Sequence, residues 1–293
     1  MKPADVFLAV LVAVIWGSAF VLSRLALDEL SPELMTALRF TIAAAPCLFV
    51  RRPKVSWPTL IAISFTLFLG QFLAQAYGIA GGVPVGLTSV IVQSQALFTI
   101  AFAALLFGER PTRMQTLGIA IAAGGLLMIC GTVGYDFSVA VFAVLMISPV
   151  SFAAGNLLLR RAQGAAMFDL FAWLCLVSAV PLLVLAAAKN GVQPTWHELS
   201  HMSPGVLLCL LGIGLVSTCF AYWLWGRLLR DHPAAQVVPF ALLVPFVGSA
   251  ASSIVFGETF GRLRLAGMLT VIGGIAVMLF ARRAQTLLKT AGA

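Results

Sequence analysis

Ten apolar runs, each of about 18–24 residues, follow one another along this chain with only short loops between them. A helix of that length crosses about 30 Å of hydrocarbon and satisfies its own backbone hydrogen bonds while doing so. The predicted spans are roughly 5–27, 32–50, 58–80, 85–107, 114–131, 138–160, 168–188, 205–226, 234–256 and 263–281. Composition agrees: 61% of residues are hydrophobic and 10% charged, where a soluble domain carries about 25% charged residues. The expected fold is an all-α membrane protein of ten transmembrane helices, with no room in the loops for a soluble domain.

The chain also repeats itself. Phe107-Gly108-Glu109 returns as Phe256-Gly257-Glu258, Arg113 as Arg262, and Gly118, Gly124 and Gly125 as Gly267, Gly273 and Gly274. The offset of 149 residues is close to half the length, which predicts two five-helix units, 1–131 and 132–293. Five is odd, so the second unit enters the membrane from the opposite side. Inverted repeats of this kind are a signature of secondary transporters, with the substrate site near the midplane between the units.

Basic residues set the orientation. With the N-terminus in the cytoplasm, that side holds Lys2, Arg51, Arg52, Lys54, Arg110, Arg113, Arg160, Arg161, Arg227, Arg230, Arg282, Arg283 and Lys289, against Lys189, Arg262 and Arg264 outside. The positive-inside rule then places both termini in the cytoplasm. This asymmetry accounts for the formal charge of +8 without nucleic acid. The first apolar stretch is too long for a signal peptide and is expected to stay as an uncleaved helix. Five cysteines fall within spans in no Cys-x-x-Cys spacing and are expected to pack as small hydrophobes.

Polar side chains inside spans mark where a cavity could run, because they face protein or water rather than lipid. Gln71 and Gln75 share one face of the third span. Thr88, Ser89, Gln93, Ser94 and Gln95 lie in the fourth, where a continuous helix points Gln93 and Gln95 about 200° apart, so that both cannot face one cavity directly. The sixth offers Ser148, Ser151, Gly155 and Asn156, with Pro149 loosening its outer part. Thr218, Tyr222 and Trp225 form one stripe in the eighth, Pro239 and Pro245 interrupt the ninth, and Trp16 lies deep in the first. The converging set predicts a polar-aromatic cavity, although each residue alone could equally tie helices together. Gly124–Gly125 and Gly273–Gly274 are expected to serve close helix packing.

Arg39 lies about 10 Å into the second span. It could snorkel toward Glu33 or Asp28, or meet the carboxylate of a substrate. Arg24 can pair with Asp28 one turn away. None of the ten acidic residues lies clearly at mid-span, which favours facilitated exchange over proton coupling. His197-Glu198-Leu199-Ser200-His201 matches H-E-x-x-H, the zinc-protease pattern. It lies in a short outer segment between Pro194 and Pro204, with no third ligand evident, and an interfacial amphipathic turn with Thr195 as N-cap explains it as well. The expectation is no metal, no cofactor and no enzymatic activity.

The chain resembles the EamA-type branch of the drug/metabolite transporter superfamily. The resemblance is carried by Trp16-Gly17-Ser18-Ala19-Phe20, by Pro32 with Leu38-Arg39-Phe40, by Gly86-Leu87 with Gln93-Ser94-Gln95-Ala96 and Phe98-Thr99-Ile100, and by Phe107-Gly108-Glu109-Arg110. Leu242-Leu243-Val244-Pro245 and Gly257-Glu258-Thr259 repeat the theme, with Thr259-Phe260 departing from the commoner Arg-Leu. Gln71-Phe72, Gln93-Ser94-Gln95-Ala96, Gly155-Asn156 and Trp225-Gly226 look most like exporters of cysteine and O-acetylserine, beside broader neutral and aromatic amino-acid exporters. The resemblance implies two inverted repeats, alternating access and export across a bacterial inner membrane. It supports Trp16, Gln95, Asn156 and Pro245 near the centre. Taken with the residues above, the expected substrate-binding set is Trp16, Gln71, Gln75, Gln93, Gln95, Asn156, Tyr222, Trp225 and Pro245, with Arg39 as a possible carboxylate partner. The expected cargo is a neutral amino acid or derivative; a carrier of other small metabolites, drugs or nucleoside-like compounds, or an intramembrane zinc enzyme, are the alternatives.

Overall fold

The computed structural model describes residues 1–134, 136–162 and 164–291, with Ala234, Ala235 and the residues after 280 described by backbone only. The side chains of Arg282, Arg283 and Lys289, and the last two residues of the expected second unit, therefore lie outside it. The bundle is built from α1 (Pro3–Ala26), α2 (Pro32–Ala43), α3 (Trp57–Ala80), α4 (Val85–Phe107) and α5 (Arg113–Cys130). Then come α6 (Val139–Leu159), α7 (Met167–Asn190), α8 (Pro204–Asp231), α9 (Val238–Phe256) and α10 (Arg262–Ala291). Among the described residues there is no strand, and nine of these segments are long and apolar enough to cross a membrane.

The exception is α2, expected to reach residue 50. It is α-helical for 12 residues, about 18 Å, and ends in a 3-10 turn over Ala45–Leu48. Pro46 accounts for the end of the α-helix: it has no N–H to donate to the carbonyl four residues back. By contrast α6 runs through Pro149 without interruption.

Helix pairs recur under exchange of each of the first five helices with its counterpart five places on. α1 packs on α9 as α6 packs on α4; α3 packs on α6 as α8 packs on α1; α2–α7, α4–α9 and α5–α10 pair with themselves. Local devices recur too. α3 widens into a π-helix over Ser64–Gly70, and α8 does so over Gly212–Phe220. Each wide turn presents a carbonyl to a neighbouring helix: Ser151 Oγ of α6 donates to Thr66 O at 2.8 Å, and Trp16 Nε1 of α1 donates to Ser217 O at 3.1 Å. α4 breaks at Ser94, and α9 changes from 3-10 to α geometry at Leu243, 149 residues on. Both end on a left-handed glycine, Gly108 at φ 64° and Gly257 at φ 67°.

The α5–α10 pair shows what the duplicated glycines do. A Cβ on Gly125 would sit 2.6 Å from Val271 N, and one on Gly274 would sit 2.5 Å from Ala122 N, so the backbones touch there. Gly124 and Gly273 face away, with nothing within 4 Å. Only one glycine of each expected pair makes the seam, because adjacent helical residues point about 100° apart.

Candidate functional site

The chain alternates between two ends of the bundle; the near end carries the N-terminus. A cavity of about 550 Å³ runs from mid-bundle to the near end, where Leu159, Met167, Leu229 and Arg230 line it. Trp16, Arg39, Gln71, Gln75, Gln93, Gln95, Asn156, Tyr222 and Trp225 all line it, from six different helices. Pro245 does not. Its carbonyl lies 3.5 Å from Ser89 Oγ, in the seam between α9 and α4, while Ala241 and Val244 take the lining positions.

Gln93 and Gln95 correct the helical-wheel expectation. The break at Ser94 interrupts the regular turn, so both amides reach the cavity, and Gln95 Nε2 donates to Gln93 Oε1 at 3.4 Å. Gln93 Nε2 donates onward to Ala241 O at 2.9 Å. Ser89 and Gly155, also singled out in α4 and α6, serve packing: Ser89 Oγ donates to Gly86 O, and Gly155 lies so close to α3 that a Cβ would sit 2.7 Å from Leu67 Cβ.

One wall is aromatic. The Trp16 ring lies 5.2 Å from both Tyr222 and Trp225, and Tyr222 lies 4.9 Å from Phe171. Trp16 is deep in its span because its indole N–H ties α1 to the wide turn of α8. Phe152 and Phe171 also line the cavity and went unrecognised, since apolar residues in a membrane helix carry no signal of their own; Phe72 and Ser217 line it as well. The opposite signal, amide oxygens with nothing to bind, is present: Gln71 Oε1 and Gln95 Oε1 are buried without a partner among the described residues.

Arg39 does not snorkel. It is 4% exposed, its Nε donates to Thr218 Oγ1 at 3.1 Å, and its guanidinium stacks over Phe72 at 4.1 Å. The carboxylates it might have reached pair elsewhere: Asp28 with Arg24, and Glu33 through Oε1 with Lys189 at 2.6 Å and with the Tyr77 hydroxyl. Thr218, expected in the polar stripe of α8, is thus the hydrogen-bond acceptor that fixes Arg39 and donates in turn to Ile213 O.

Polar ties close the far end. The Glu258 carboxylate accepts from Val85 N–H at 2.6 Å and Gly86 N–H at 3.0 Å, capping the N-terminus of α4. Arg264 binds Asp136, and Ser203 N–H donates to Glu29 at 2.8 Å. That bond holds the Glu29 carboxyl below its usual range. The counterpart of Glu258, Glu109, binds Arg160 at the near end.

The H-E-x-x-H segment forms a short surface helix, Val192–His201, beginning three residues before the expected cap Thr195. Glu198 turns away from the imidazoles and accepts from both Ser31 N and Ser31 Oγ at 2.9 Å, fastening the start of α2. His197 and His201 stack on each other at 4.1 Å. The motif is used as a clasp between loops.

The EamA-like transporter family matches residues 4–131 and again 139–280. A probable amino-acid metabolite efflux pump of Salmonella typhimurium is 33% identical over the whole of both chains. Its Escherichia coli namesake is 31% identical over 97% of each. A probable terminal-alkyne amino-acid exporter of Streptantibioticus cattleyicolor is 29% identical over 95% of this chain and 93% of its own. A solved crystal structure shares the fold with a TM-score of 0.63 at 19% identity, over 97% of this chain and 99% of the other. Two family matches in tandem, a wholly helical bundle and full-length likeness to efflux pumps make this chain a multi-pass membrane transporter of the EamA-like family, and not an enzyme.

Proposed function

We propose that the chain exports neutral amino acids and related metabolites across a bacterial inner membrane, by alternating access through the central cavity. The observation that carries this reading is a mid-bundle cavity walled by amides and aromatics that runs to one end while polar ties close the other. Amides and rings suit a zwitterion, which needs hydrogen bonds and apolar surface more than a net field. Residues 1–131 and 132–293 are the two inverted units; the exchange-related packing and the paired π-turns support that division. Both termini are cytoplasmic, following the basic residues, so the near end is the cytoplasmic one and the cavity is poised to load. Trp16, Gln71, Gln75, Gln93, Gln95, Asn156, Tyr222 and Trp225 contact cargo, and Pro245 shapes α9 behind them.

Counterflow in proteoliposomes tests this. Vesicles are loaded with unlabelled cysteine, threonine, methionine or phenylalanine, and entry of the labelled compound is followed with no ion gradient. Internal amino acid should accelerate entry, and Gln95→Leu and Trp16→Ala should each lower it by about tenfold at equal expression, as loss of one buried hydrogen bond or ring contact implies. No stimulation by any of the four, in folded protein, would refute the cargo class. Unchanged flux in both variants would refute the site.

A further inference from the structure

A guanidinium carries five N–H donors and cannot be deprotonated in a protein, so burying one demands acceptors. Arg39 is 4% exposed, yet among the described residues only its Nε has an acceptor, Thr218 Oγ1. It forms no ion pair with any described carboxylate, and the ionisable groups that bear on it electrostatically are the Tyr222 phenol and the Cys175 thiol, neither an anion at neutral pH. Thr218 clamps it from one side and the Phe72 ring covers one face. The two terminal amino groups, which together form the fork that matches a carboxylate, have no partner among the described residues. Arg39 lines the same cavity as Gln71 and Gln95, whose carbonyl oxygens are buried and unsatisfied. A fixed cation without an anion and two acceptors without donors are the complement of a zwitterion.

We propose that Arg39 binds the carboxylate of the cargo through its terminal amino groups, while the oxygens of Gln71 and Gln95 accept from the cargo's ammonium. This rests on the transport reading and narrows it. The cavity takes compounds with a free α-carboxylate and rejects the corresponding amides, esters and amines. The side chain meets the aromatic wall and the remaining amides, none of them charged, which explains how one cavity could serve amino acids of different size.

The test compares acid and amide in purified protein, using the fluorescence of Trp16 and Trp225, both beside the site. Phenylalanine, phenylalaninamide, 3-phenylpropionate and 3-phenylpropionamide are titrated against wild type, Arg39→Gln and Arg39→Lys, each shown to be monodisperse. Two charge-assisted hydrogen bonds favour each acid over its amide by a factor on the order of 100 in wild type. Arg39→Gln should bring each pair to within a few-fold, and Arg39→Lys should keep part of the preference, since it retains charge but not the fork. Equal response to acid and amide in wild type, including no response to either, overturns the proposal. So does a preference that survives in Arg39→Gln. Should Arg39→Gln not be recovered folded, full acid preference in Arg39→Lys overturns the fork and reduced preference supports it. Acid preference in binding without counterflow by any amino acid would leave Arg39 as the carboxylate site and sink amino-acid export alone.

Discussion

Replacing Glu258 by alanine removes the carboxylate that holds the start of α4 against the end of α9. Val85 and Gly86, whose amides it accepts from, are buried, while Glu258 itself is half-buried. Losing an N-terminal cap costs about 0.5–2 kcal/mol, and a negative charge at a helix start adds about 0.3–1 kcal/mol; water reaching the vacated place recovers part of this. A net loss of about 1–2 kcal/mol is expected. Under the proposed alternating access, with the far end external, the bond joins the two helices that seal that end, so the loss falls on its closed state and not on the opened one. The balance between them should shift by about 5- to 30-fold. Ser252 reports this well: it is fully buried on α9, facing α4 beside Gly86. In a background with the five cysteines replaced, Ser252→Cys is labelled from outside with a membrane-impermeant maleimide. Glu258→Ala should raise the labelling rate by about 5- to 30-fold and Glu258→Gln by less, because an amide oxygen still accepts. An unchanged rate, with helical content and thermal midpoint intact, would refute the idea that this cap holds the end closed.

Two further outcomes concern stability. Gly125→Val and Gly274→Val drive a side chain into facing backbone and should each lower thermal stability in detergent by about 1–3 kcal/mol or more, whereas Gly124→Ala and Gly273→Ala should be neutral or stabilising by up to about 1 kcal/mol. Equal effects at both pairs would refute the seam. The Glu29 carboxyl, held low by Ser203 N–H, contributes its clasp fully above the ordinary carboxylate range near about 4.3 and loses it as pH falls through the lowered folded value. Amide exchange at Ser203–Val206 should therefore accelerate in acid beyond its intrinsic trend in wild type, and show no such step in Glu29→Gln.

The duplication was legible over nineteen residues around Glu109 and Glu258, and it brought the paired glycine caps with it. Other exchange-related devices were not legible. The π-turns of α3 and α8 arise where a helix accommodates a neighbour's donor, and Ser64–Gly70 shares no obvious pattern with Gly212–Phe220. Arg39 was visible as a costly residue, but its choice between lipid interface, carboxylate and cavity depended on Thr218, 179 residues away. Glu198 looked like part of a metal motif until its partner proved to be Ser31, across a 167-residue separation.

By itself the sequence determined that this chain is a helical membrane protein, doubled, with polar side chains at depths where lipid would not tolerate them. Those are consequences of local composition and period, which act over one helix at a time. Only the tertiary structure decided which of those side chains meet. A break at Ser94 or a π-turn before Tyr222 rotates everything beyond it, so the direction of a side chain is set by departures from the regular helix that neighbouring helices induce. That is why the single cavity holding Gln93 and Gln95 together, with Arg39 among aromatics, exists only in the packed molecule.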